Sequence, residues 1–319
     1  MIELPILTND ADFAKWRSDP NCWLPMARQI ALSENISPSV LSSFATGTNL
    51  VIDLDGRSVL KLFPPIYRQQ FVSERATLRQ LAGRLSVPIP CILAEGAHDG
   101  WSWLVMTKLE GVVGSEAWPC LPEKEKEQIL KEIGRTIAEV QSTPLGELAA
   151  IKPTWADFIA QQLTDCIERH RRQGLPSRLL SDLPELLSDA SSIVPLDVSP
   201  VILTGEWIPE NFLLSENDGR WRLAAVIDFG DVMIGWREYD LLGPSAFMCA
   251  GLSGRVEHLF EGYGLAPSDC DRGMRRRLLT LMLLHRASDL RNIDIDGWED
   301  RVESLLDLED IVWPSPRLE

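Results

Sequence analysis

Two stretches of this chain decide its fold: VILTGEWIPENF at residues 201–212 and VIDFGD at residues 226–231. Each begins with an apolar run that is typical of a buried strand and places polar side chains directly after that run. The polar side chains that matter are those of Glu206, Asn211 and Asp228. The sequence therefore predicts two loops at strand ends that together carry two carboxylates and one amide.

These three residue types, in this order, point to phosphoryl transfer. In that chemistry a carboxylate holds the acceptor hydroxyl, while an Asn and an Asp hold the magnesium ions that bridge the nucleotide phosphates. Glu206, Asn211 and Asp228 fit those roles in order, and Glu206 precedes Asn211 by the interval that separates base and metal-binding Asn in kinase catalytic loops. The Asp-Phe-Gly tripeptide alone would be weak evidence, because such residues also form ordinary turns.

Length and composition set broad limits on the fold and on the partners. The 319 residues are enough for two lobes with a core each, and the apolar and charged fractions, 45% and 24%, are ordinary for a globular protein. The net charge of −16 disfavours nucleic acid and anionic membranes as partners. It favours a cationic small-molecule acceptor, although solubility alone explains the charge equally well.

The cysteines and the apolar runs bear on location. The six cysteines include no C-x-x-C pair, so we expect reduced thiols and no structural zinc. The first residues lack the basic head and apolar core of a signal peptide, and the longest apolar stretch, 278–284, is too short to span a bilayer. We therefore expect a cytoplasmic protein with access to ATP and magnesium, and both a monomer and a homodimer are compatible with the sequence.

The hydrophobic pattern predicts a sheet-rich first lobe. Asp55-Gly56 is a preferred turn pair between two antiparallel strands. The elements predicted for this lobe are a capping helix at 25–33, strands at 51–54 and 58–62, a helix at 67–84, and strands at 89–93 and 101–106.

The rest of the chain is mainly helical. Helices are predicted at 122–142, 154–173, 176–190, 237–249, 253–263, 269–290 and 297–309. Because the composition changes near Thr107, we predict a nucleotide-binding lobe with its helical cap at 1–107 and a catalytic, substrate-binding lobe at 108–319. The fold class is then α+β, with a small antiparallel sheet in the first lobe and helices in the second.

The first lobe offers candidate nucleotide-binding residues. Thr46, Gly47 and Thr48 precede the hairpin, where backbone N–H groups could cover phosphates, although a plain turn explains a lone Gly as well. Lys61 on the second hairpin strand and Glu74 on the next helix form the expected phosphate-gripping pair. Each of these two could instead be an ordinary solvated side chain, but together with the later loops we interpret them as functional.

The segment from Met106 through Lys108 to Gly111 joins the predicted lobes. An extended segment at such a joint can offer backbone N–H and C=O groups to an adenine edge. A simple linker explains these residues equally well.

Other side chains are candidates for the acceptor site. Asp231 is either a turn residue or a further carboxylate near the metal, and Trp236 could stack on a sugar, although a Trp at a loop end usually packs. Asp289 begins an acidic cluster that extends to Asp300 and could hold ammonium groups or form a solvated face. His285 is predicted to be a core residue without a catalytic role.

At this point the residues resemble the aminoglycoside phosphotransferase family, which shares the two-lobed fold of protein kinases. The resemblance covers most of the chain, through 47–51, Lys61, Glu74, 87–90, 104–106, the two catalytic loops and 238–241. Within the family the chain is most similar to hygromycin B kinases that phosphorylate the 7''-hydroxyl, through 202–214, 221–235 and 276–290.

The resemblance implies a role for each matched residue. Glu206 orients the acceptor hydroxyl, Asn211 and Asp228 bind magnesium, Lys61 contacts the α- and β-phosphates, and Glu74 positions Lys61. Two residues depart from the family pattern: Thr204 stands where the family usually has His, and Glu206 stands where most members have Asp. The loss of the His bears on the geometry of the loop more than on the reaction.

The sequence therefore predicts an O-phosphotransferase that uses ATP, or alternatively GTP, with Mg²⁺. The segment 230–237 is too short for the peptide platform of protein kinases, so a small molecule is favoured as the acceptor, with an aminoglycoside such as hygromycin B as the best candidate. The alternatives are a kinase of a metabolite such as choline or homoserine, and a nucleotide-binding protein without turnover.

Overall fold

The structure, a computed structural model, describes residues 4–44 and 47–314 of the chain. Its residues separate into two compact units. The first unit comprises residues up to 83, residues 88–110 and the short segment 227–232, and the second comprises 84–87, 111–226 and the residues from 233 onward. Asp228 thus belongs to the first unit, although the chain before residue 227 and after residue 232 belongs to the second.

The first unit is built on one five-stranded antiparallel sheet with the order β1-β2-β3-β5-β4. Its elements are α1 (Asp10–Ser18), α2 (Pro20–Ser33), β1 (Leu41–Ser43), β2 (Leu50–Leu54), β3 (Ser58–Phe63), α3 (Arg68–Leu81), β4 (Ile92–His98) and β5 (Trp101–Thr107). The predicted hairpin is confirmed. Asp55 and Gly56 both have positive φ angles, +55° and +72°, which the tight turn between β2 and β3 requires.

The core of the first unit lies between this sheet and the two N-terminal helices. Phe13 of α1 and Trp23 of α2 are almost fully buried against the sheet residues Ile52, Leu60 and Trp101. The helical cap is therefore part of the hydrophobic core, and burial of these large side chains is its main source of stability.

The second unit is mainly helical and contains two small antiparallel sheets, β6-β8-β9 and β7-β10. Its elements are β6 (Val112–Val113), α4 (Gly114–Ala117), α5 (Glu123–Ser142), α6 (Trp155–Arg172), α7 (Ser177–Leu180), α8 (Leu183–Ser188), α9 (Ala190–Ile193), β7 (Val201–Leu203), β8 (Phe212–Asn217), β9 (Arg220–Val226), β10 (Met233–Gly235), α10 (Leu242–Phe247), α11 (Ser253–Tyr263), α12 (Arg272–Leu284), α13 (Trp298–Arg301) and α14 (Leu308–Val312).

Helix α5 organises the second unit on two of its sides. On one side it packs against α11 at van der Waals distance, since a Cβ atom on Gly134 would lie only 2.1 Å from the carbonyl oxygen of Leu259. On the other side its carboxylates accept hydrogen bonds from the outer edge of β9. The backbone N–H of Trp221 donates to Glu125 Oε2 at 3.1 Å, and that of Leu223 donates to Glu132 Oε2 at 2.9 Å.

Several predicted boundaries in the first unit are wrong. The helix expected at 25–33 begins earlier, at Pro20, because Asp19 caps it and proline suits a first helical turn, and α1 was not predicted. The strand expected at 89–93 is β4, which begins at Ile92, since proline at positions 88 and 90 disfavours ladder pairing there. The helix expected at 67–84 ends at Leu81.

Several predicted helices of the second unit are shorter or divided. The helix expected at 176–190 is three short helices, because Pro184 cannot donate a hydrogen bond inside a helix and occupies the first turn of α8. The helix expected at 269–290 is α12, which Asp271 caps and which ends at Leu284. The helices expected at 237–249 and 297–309 are each a short 3₁₀ turn combined with shorter helices. Among the described residues no helix has the length and apolar character needed to cross a bilayer.

Candidate active site

Within the first unit, three charged side chains from distant parts of the sequence meet. Lys61 Nζ lies 2.7 Å from Glu74 Oε2 and 2.9 Å from Asp228 Oδ1. The side chains of Lys61 and Glu74 are only 4% and 2% exposed, whereas that of Asp228 is 34% exposed. The structure thus joins the predicted Lys61–Glu74 pair and adds Asp228 to it, with the Asp228 side chain still reachable from solvent.

Burial and mutual attraction shift the pKa values of this group. Burial alone would lower the pKa of Lys61, but the carboxylates of Asp228 and Glu74 outweigh it and hold the lysine protonated. Burial raises the pKa of Glu74 to about 7, against the opposing effect of the Lys61 ammonium. Burial would also raise the pKa of Asp228, yet Lys61 holds that pKa below its usual value. Asp228 is therefore ionised at neutral pH.

The backbone at Asp228 is in an unusual conformation. Its φ angle is +64°, in the left-handed region that costs a non-glycine residue free energy unless the surroundings compensate. The Gly230 N–H donates to Asp228 Oδ1 at 3.2 Å, and Lys61 binds the same oxygen. These contacts hold the carboxylate in place and support a functional interpretation of the strained residue.

The loop before β2 is fixed by contacts that the sequence did not reveal. The guanidinium of Arg17 donates to the carbonyl oxygens of Gly47, Thr48 and Asn49. Gly47 has a φ angle of +97°, which favours glycine. Thr46 lies outside the described residues. Arg17 therefore fixes the loop at 47–49 through its carbonyl groups.

A polar chain links this loop to the residue after the Asp-Phe-Gly motif. Asn49 Nδ2 donates to Gln70 Oε1 at 2.8 Å, and Gln70 Nε2 donates to Asp231 Oδ1 at 3.4 Å. Asp231 is therefore tied to α3 by Gln70. Arg17 and Gln70 could not be predicted, because nothing in their local pattern separates them from ordinary surface polar residues; Asn49 lies in the predicted loop, but the contact of its side chain with Gln70 was not expected.

Much of the segment around Met106 is already hydrogen-bonded to other parts of the first unit. Met106 is buried on β5, and the N–H groups of Thr107 and Lys108 donate to the carbonyl oxygens of Cys91 and Arg57. Lys108 Nζ forms an ion pair with Asp53 at 2.5 Å. An adenine edge would therefore need the backbone groups at 109 and 110 rather than these two N–H groups.

In the second unit, the loop that follows β7 is held by a buried carboxylate. Asp240 is 1% exposed and accepts hydrogen bonds from the N–H groups of Thr204, at 3.1 Å, and Gly205, at 2.9 Å. Burial raises the pKa of Asp240 to about 6, and these N–H groups oppose the rise. Gly243 of α10 packs so closely that a Cβ atom there would lie 2.4 Å from the Trp207 carbonyl oxygen.

The same loop carries Glu206 and Asn211. Asn211 Nδ2 donates to the Glu206 carbonyl oxygen at 3.0 Å, and the Ile208 N–H donates to that oxygen at 2.9 Å. With its nitrogen engaged, Asn211 keeps its amide oxygen as the atom suited to a cation. The Glu206 carboxylate forms a long ion pair with Arg286, 3.9 Å between Oε1 and the guanidinium.

Glu206 lines a cavity of about 560 Å³ that lies entirely within the second unit. Much of its wall is apolar, with Trp118, Phe247 and Met282 among the larger side chains. Four carboxylates line it as well, and no Lys or Arg of the described residues does so: Glu206, Glu210, Asp289 and Asp294. The cavity therefore suits a cationic molecule that also has apolar surface.

The other acceptor-site candidates are placed differently from one another. Asp289 lines the cavity, but Arg291 donates two hydrogen bonds to its carboxylate and holds its pKa below the usual value. Of the predicted acidic cluster, only Asp289 and Asp294 line the cavity. Trp236 is half-buried and does not line it. The prediction that His285 is a core residue fits its contacts only in part, because it caps α12 and reaches the cavity wall.

The Asn211 amide oxygen and the Asp228 carboxylate are each oxygen donors of the kind that Mg²⁺ prefers. Among the described residues, no group of three or more His, Cys, Asp or Glu side chains could hold a metal ion. In phosphoryl transfer generally, one or two carboxylates, water and the nucleotide phosphates complete the shell of Mg²⁺. The joint binding of one cation by Asn211 and Asp228 stays a prediction.

The sequence is similar to known phosphotransferases. A model of the phosphotransferase enzyme family matches residues 41–279. An aminoglycoside 3'-phosphotransferase of Streptomyces fradiae is 26% identical over 198 residues, which are 60% of this chain and 67% of the relative.

Solved structures are similar at lower sequence identity. The GDP complex of aminoglycoside 2'-phosphotransferase-IIIa has a TM-score of 0.68 at 21% identity and covers 90% of this chain and 97% of that chain. Phosphotransferase APH(3'')-Id from Streptomyces rimosus, with ADP and streptomycin, has a TM-score of 0.58 at 15% identity, over 82% and 98% of the two chains.

Fold and site together define an α+β protein of the kinase-like class, and the predicted fold class is confirmed. Because the family model matches well over half of the chain, the protein belongs to the phosphotransferase enzyme family. The predicted enzyme class, a phosphotransferase with an alcohol group as acceptor, is confirmed with it.

Proposed function

We propose that the protein is an ATP- and magnesium-dependent O-phosphotransferase whose acceptor is an aminoglycoside, with hygromycin B as the best single candidate. The observation that carries the acceptor class is the cavity beside Glu206, with four carboxylates and no Lys or Arg among the described residues of its wall. In this proposal residues 1–107 bind the nucleotide, residues 108–319 bind the acceptor, and the protein acts in the cytoplasm.

Each charged residue has a defined task in the proposed reaction. Lys61, held by Glu74, would contact the α- and β-phosphates, while Asn211 and Asp228 would hold magnesium, which neutralises charge on the transferred phosphoryl group. Glu206 would orient the acceptor hydroxyl for in-line attack. A loose transition state depends on positioning more than on strong proton removal, so a Glu serves here as well as an Asp.

The lining of the cavity favours a polyamine over a quaternary amine such as choline. Arg291 already binds the Asp289 carboxylate, but Glu206, Glu210 and Asp294 still offer several carboxylates to several ammonium groups. A quaternary amine is usually bound by aromatic faces around one carboxylate. The main aromatic candidate, Trp118, already has Lys126 Nζ 5.7 Å and Arg255 Cζ 5.8 Å from its ring. The apolar part of the wall would contact the less polar faces of the sugar rings.

Hygromycin B is preferred because residues 202–214, 221–235 and 276–290 resemble those of hygromycin B kinases, including Glu206 in place of Asp. The nucleotide donor is proposed to be ATP, with GTP as the alternative, since the similar structures include complexes with GDP and with ADP. The complete group of Lys61, Glu74 and Asp228 supports turnover over nucleotide binding alone.

The test uses purified protein with Mg²⁺ and either ATP or GTP, offered hygromycin B, other aminoglycosides, choline and homoserine. Mass spectrometry detects the gain of one phosphoryl group on the acceptor, and the Asp228→Asn variant is the control. We expect product with at least one aminoglycoside and none with the variant. Phosphorylation of choline or homoserine alone would overturn the acceptor class. If the protein binds nucleotide in a thermal-shift assay but gives no product with any acceptor, the proposal that it is an active enzyme is wrong.

A further inference from the structure

The two peptide groups that flank the Cα atom of Gly205 are each held by a side chain. The Gly205 N–H donates to Asp240 Oδ1 at 2.9 Å, and the Gly205 C=O lies 3.2 Å from Nε2 of His285. Gly205 has a φ angle of +72°, a conformation that only glycine adopts readily, so the loop turns sharply at this residue. Glu206 follows directly, and the orientation of the peptide group between Gly205 and Glu206 therefore determines where the Glu206 side chain begins.

The hydrogen bonds of His285 define its tautomer. The backbone N–H of Ala287 donates to Nδ1 at 3.2 Å, so Nδ1 carries a lone pair and the proton lies on Nε2. Nε2–H is then the donor to the Gly205 carbonyl oxygen. Burial lowers the pKa of His285 to about 4, which agrees with a neutral ring at neutral pH.

The ring of His285 and the backbone just before it are both held by neighbouring side chains. The ring stacks on Tyr239 with a centroid distance of 4.7 Å and an angle of 17° between the ring planes. The residues before it are anchored as well, because the Leu283 carbonyl oxygen lies 3.0 Å from an Arg169 guanidinium nitrogen and 3.1 Å from His170 Nε2. The donor therefore sits at a helix end that α6 holds in place.

We propose that His285 is a positioning residue for phosphoryl transfer. Resting on the proposed function, the inference is that the Nε2–H bond to Gly205 fixes the peptide ahead of Glu206, so that the carboxylate faces the acceptor hydroxyl in the cavity. Asp240 fixes the preceding peptide group through the Gly205 N–H, and Arg286, next in sequence, lies 3.9 Å from Glu206. The segment 285–286 thus controls both the backbone and the side chain of the proposed acceptor-orienting residue.

Two substitutions of His285 distinguish the effect of its hydrogen bond from the effect of its size. His285→Gln keeps an N–H donor, whereas His285→Leu keeps a side chain of similar size without one. We expect His285→Leu to lower kcat at saturating substrates by about tenfold or more, because a misplaced reacting group costs rate even when it still binds. The dissociation constant of the nucleotide should not change, and His285→Gln should recover most of kcat.

A matched control is His258→Gln, which replaces a histidine of α11 whose Nδ1 bonds to the Gly254 carbonyl oxygen; this variant should leave kcat unchanged. Melting temperatures of all variants show whether a loss of kcat follows loss of folded protein. The inference is overturned if His285→Leu retains full kcat, or if His285→Gln is as impaired as His285→Leu while both are folded.

The tautomer provides a test that needs no acceptor. The chain has four histidines, so long-range ¹H–¹⁵N correlation spectra of ¹⁵N-histidine protein can be assigned by single substitutions. We expect His285 to be the neutral Nε2–H form at pH 7, and a charged ring or the Nδ1–H form would overturn the inference even if His285→Leu does not fold. If the wild-type enzyme phosphorylates nothing, the proposed function fails, while the spectrum still decides the hydrogen bond.

Discussion

The substitution Asp240→Asn tests how the loop before Glu206 is held. Asp240 is a buried carboxylate that accepts from the N–H groups of Thr204 and Gly205, one with each oxygen. Asn keeps the size of the side chain but replaces one of these oxygens by an NH₂ group. One hydrogen bond is then lost, and two donors face each other across the former contact.

The effect on stability follows from two opposing contributions. Loss of a hydrogen bond to a charged group costs about 1.5–3 kcal/mol. Burial raises the pKa of Asp240 from 3.8 to about 6, so keeping the carboxylate ionised at pH 7 costs about 3 kcal/mol, which Asn removes. We therefore expect the free energy of unfolding at pH 7 to change by no more than about 2 kcal/mol, while kcat falls about tenfold to a hundredfold through the loosened loop.

The pH dependence of stability shows whether the buried Asp240 carboxylate stabilises or destabilises the fold. Because the folded-state pKa lies above the unfolded value, the contribution of Asp240 to stability is fully present below about pH 4 and is lost as the pH rises through about 6. Asn has no such titration. The wild type should therefore lose about 1 kcal/mol relative to the variant between about pH 5 and pH 7.

Urea unfolding of both proteins over this pH range measures the stability difference, and steady-state kinetics at saturating substrates measures kcat. The reasoning is refuted if the variant retains wild-type kcat. It is also refuted if the stability difference does not change with pH, or changes in the opposite direction.

Three further predictions concern the site and the helix packing. Asp228→Asn should abolish turnover, and in a thermal-shift titration it should remove the part of the nucleotide effect that requires Mg²⁺; an equal Mg²⁺ effect in the variant would contradict the assignment. Glu206→Ala should lower kcat by orders of magnitude with little change in nucleotide affinity, and full kcat on the true acceptor would show the role to be wrong. Gly134→Ala should destabilise the protein by about 3 kcal/mol or more in urea unfolding, because its Cβ would meet the Leu259 carbonyl oxygen at 2.1 Å. Gly254→Ala is the control, since its Cβ would meet only the end of a flexible Glu side chain, and similar losses from both would argue against the clash.

Much of the fold could be predicted because the decisive patterns are local. The Asp55-Gly56 turn between two short apolar strands fixes a hairpin from its own residues, and β2 and β3 lie where predicted. The apolar runs before Glu206 and Asp228 place polar residues at strand ends for the same reason. Helix ends were less predictable, because Pro184 restarts a helix that the hydrophobic pattern alone continues.

The supporting residues of the site could not be predicted, because their partners are distant in sequence. Asp240 lies 35 residues from Gly205, and His285 lies 80 residues from it. The residues around Asp240 and around His285 form no pattern that predicts a hydrogen bond to this loop. Asp240 stood within a matched family segment but received no role, and His285 was interpreted from the apolar helix before it. Only the packing of α12 and the turn after it show that its ring reaches Gly205.

The contacts between α5 and β9 also have a consequence for self-association. An outer strand with unpaired N–H groups is a template on which another chain can add a strand, and such addition leads to aggregates. Here Glu125 and Glu132 accept hydrogen bonds from two of the N–H groups of β9. A carboxylate has no hydrogen to donate to the carbonyl groups of an added strand. The two glutamates of α5 therefore prevent another strand from pairing with this edge of β9, which removes one route to precipitation in a concentrated solution.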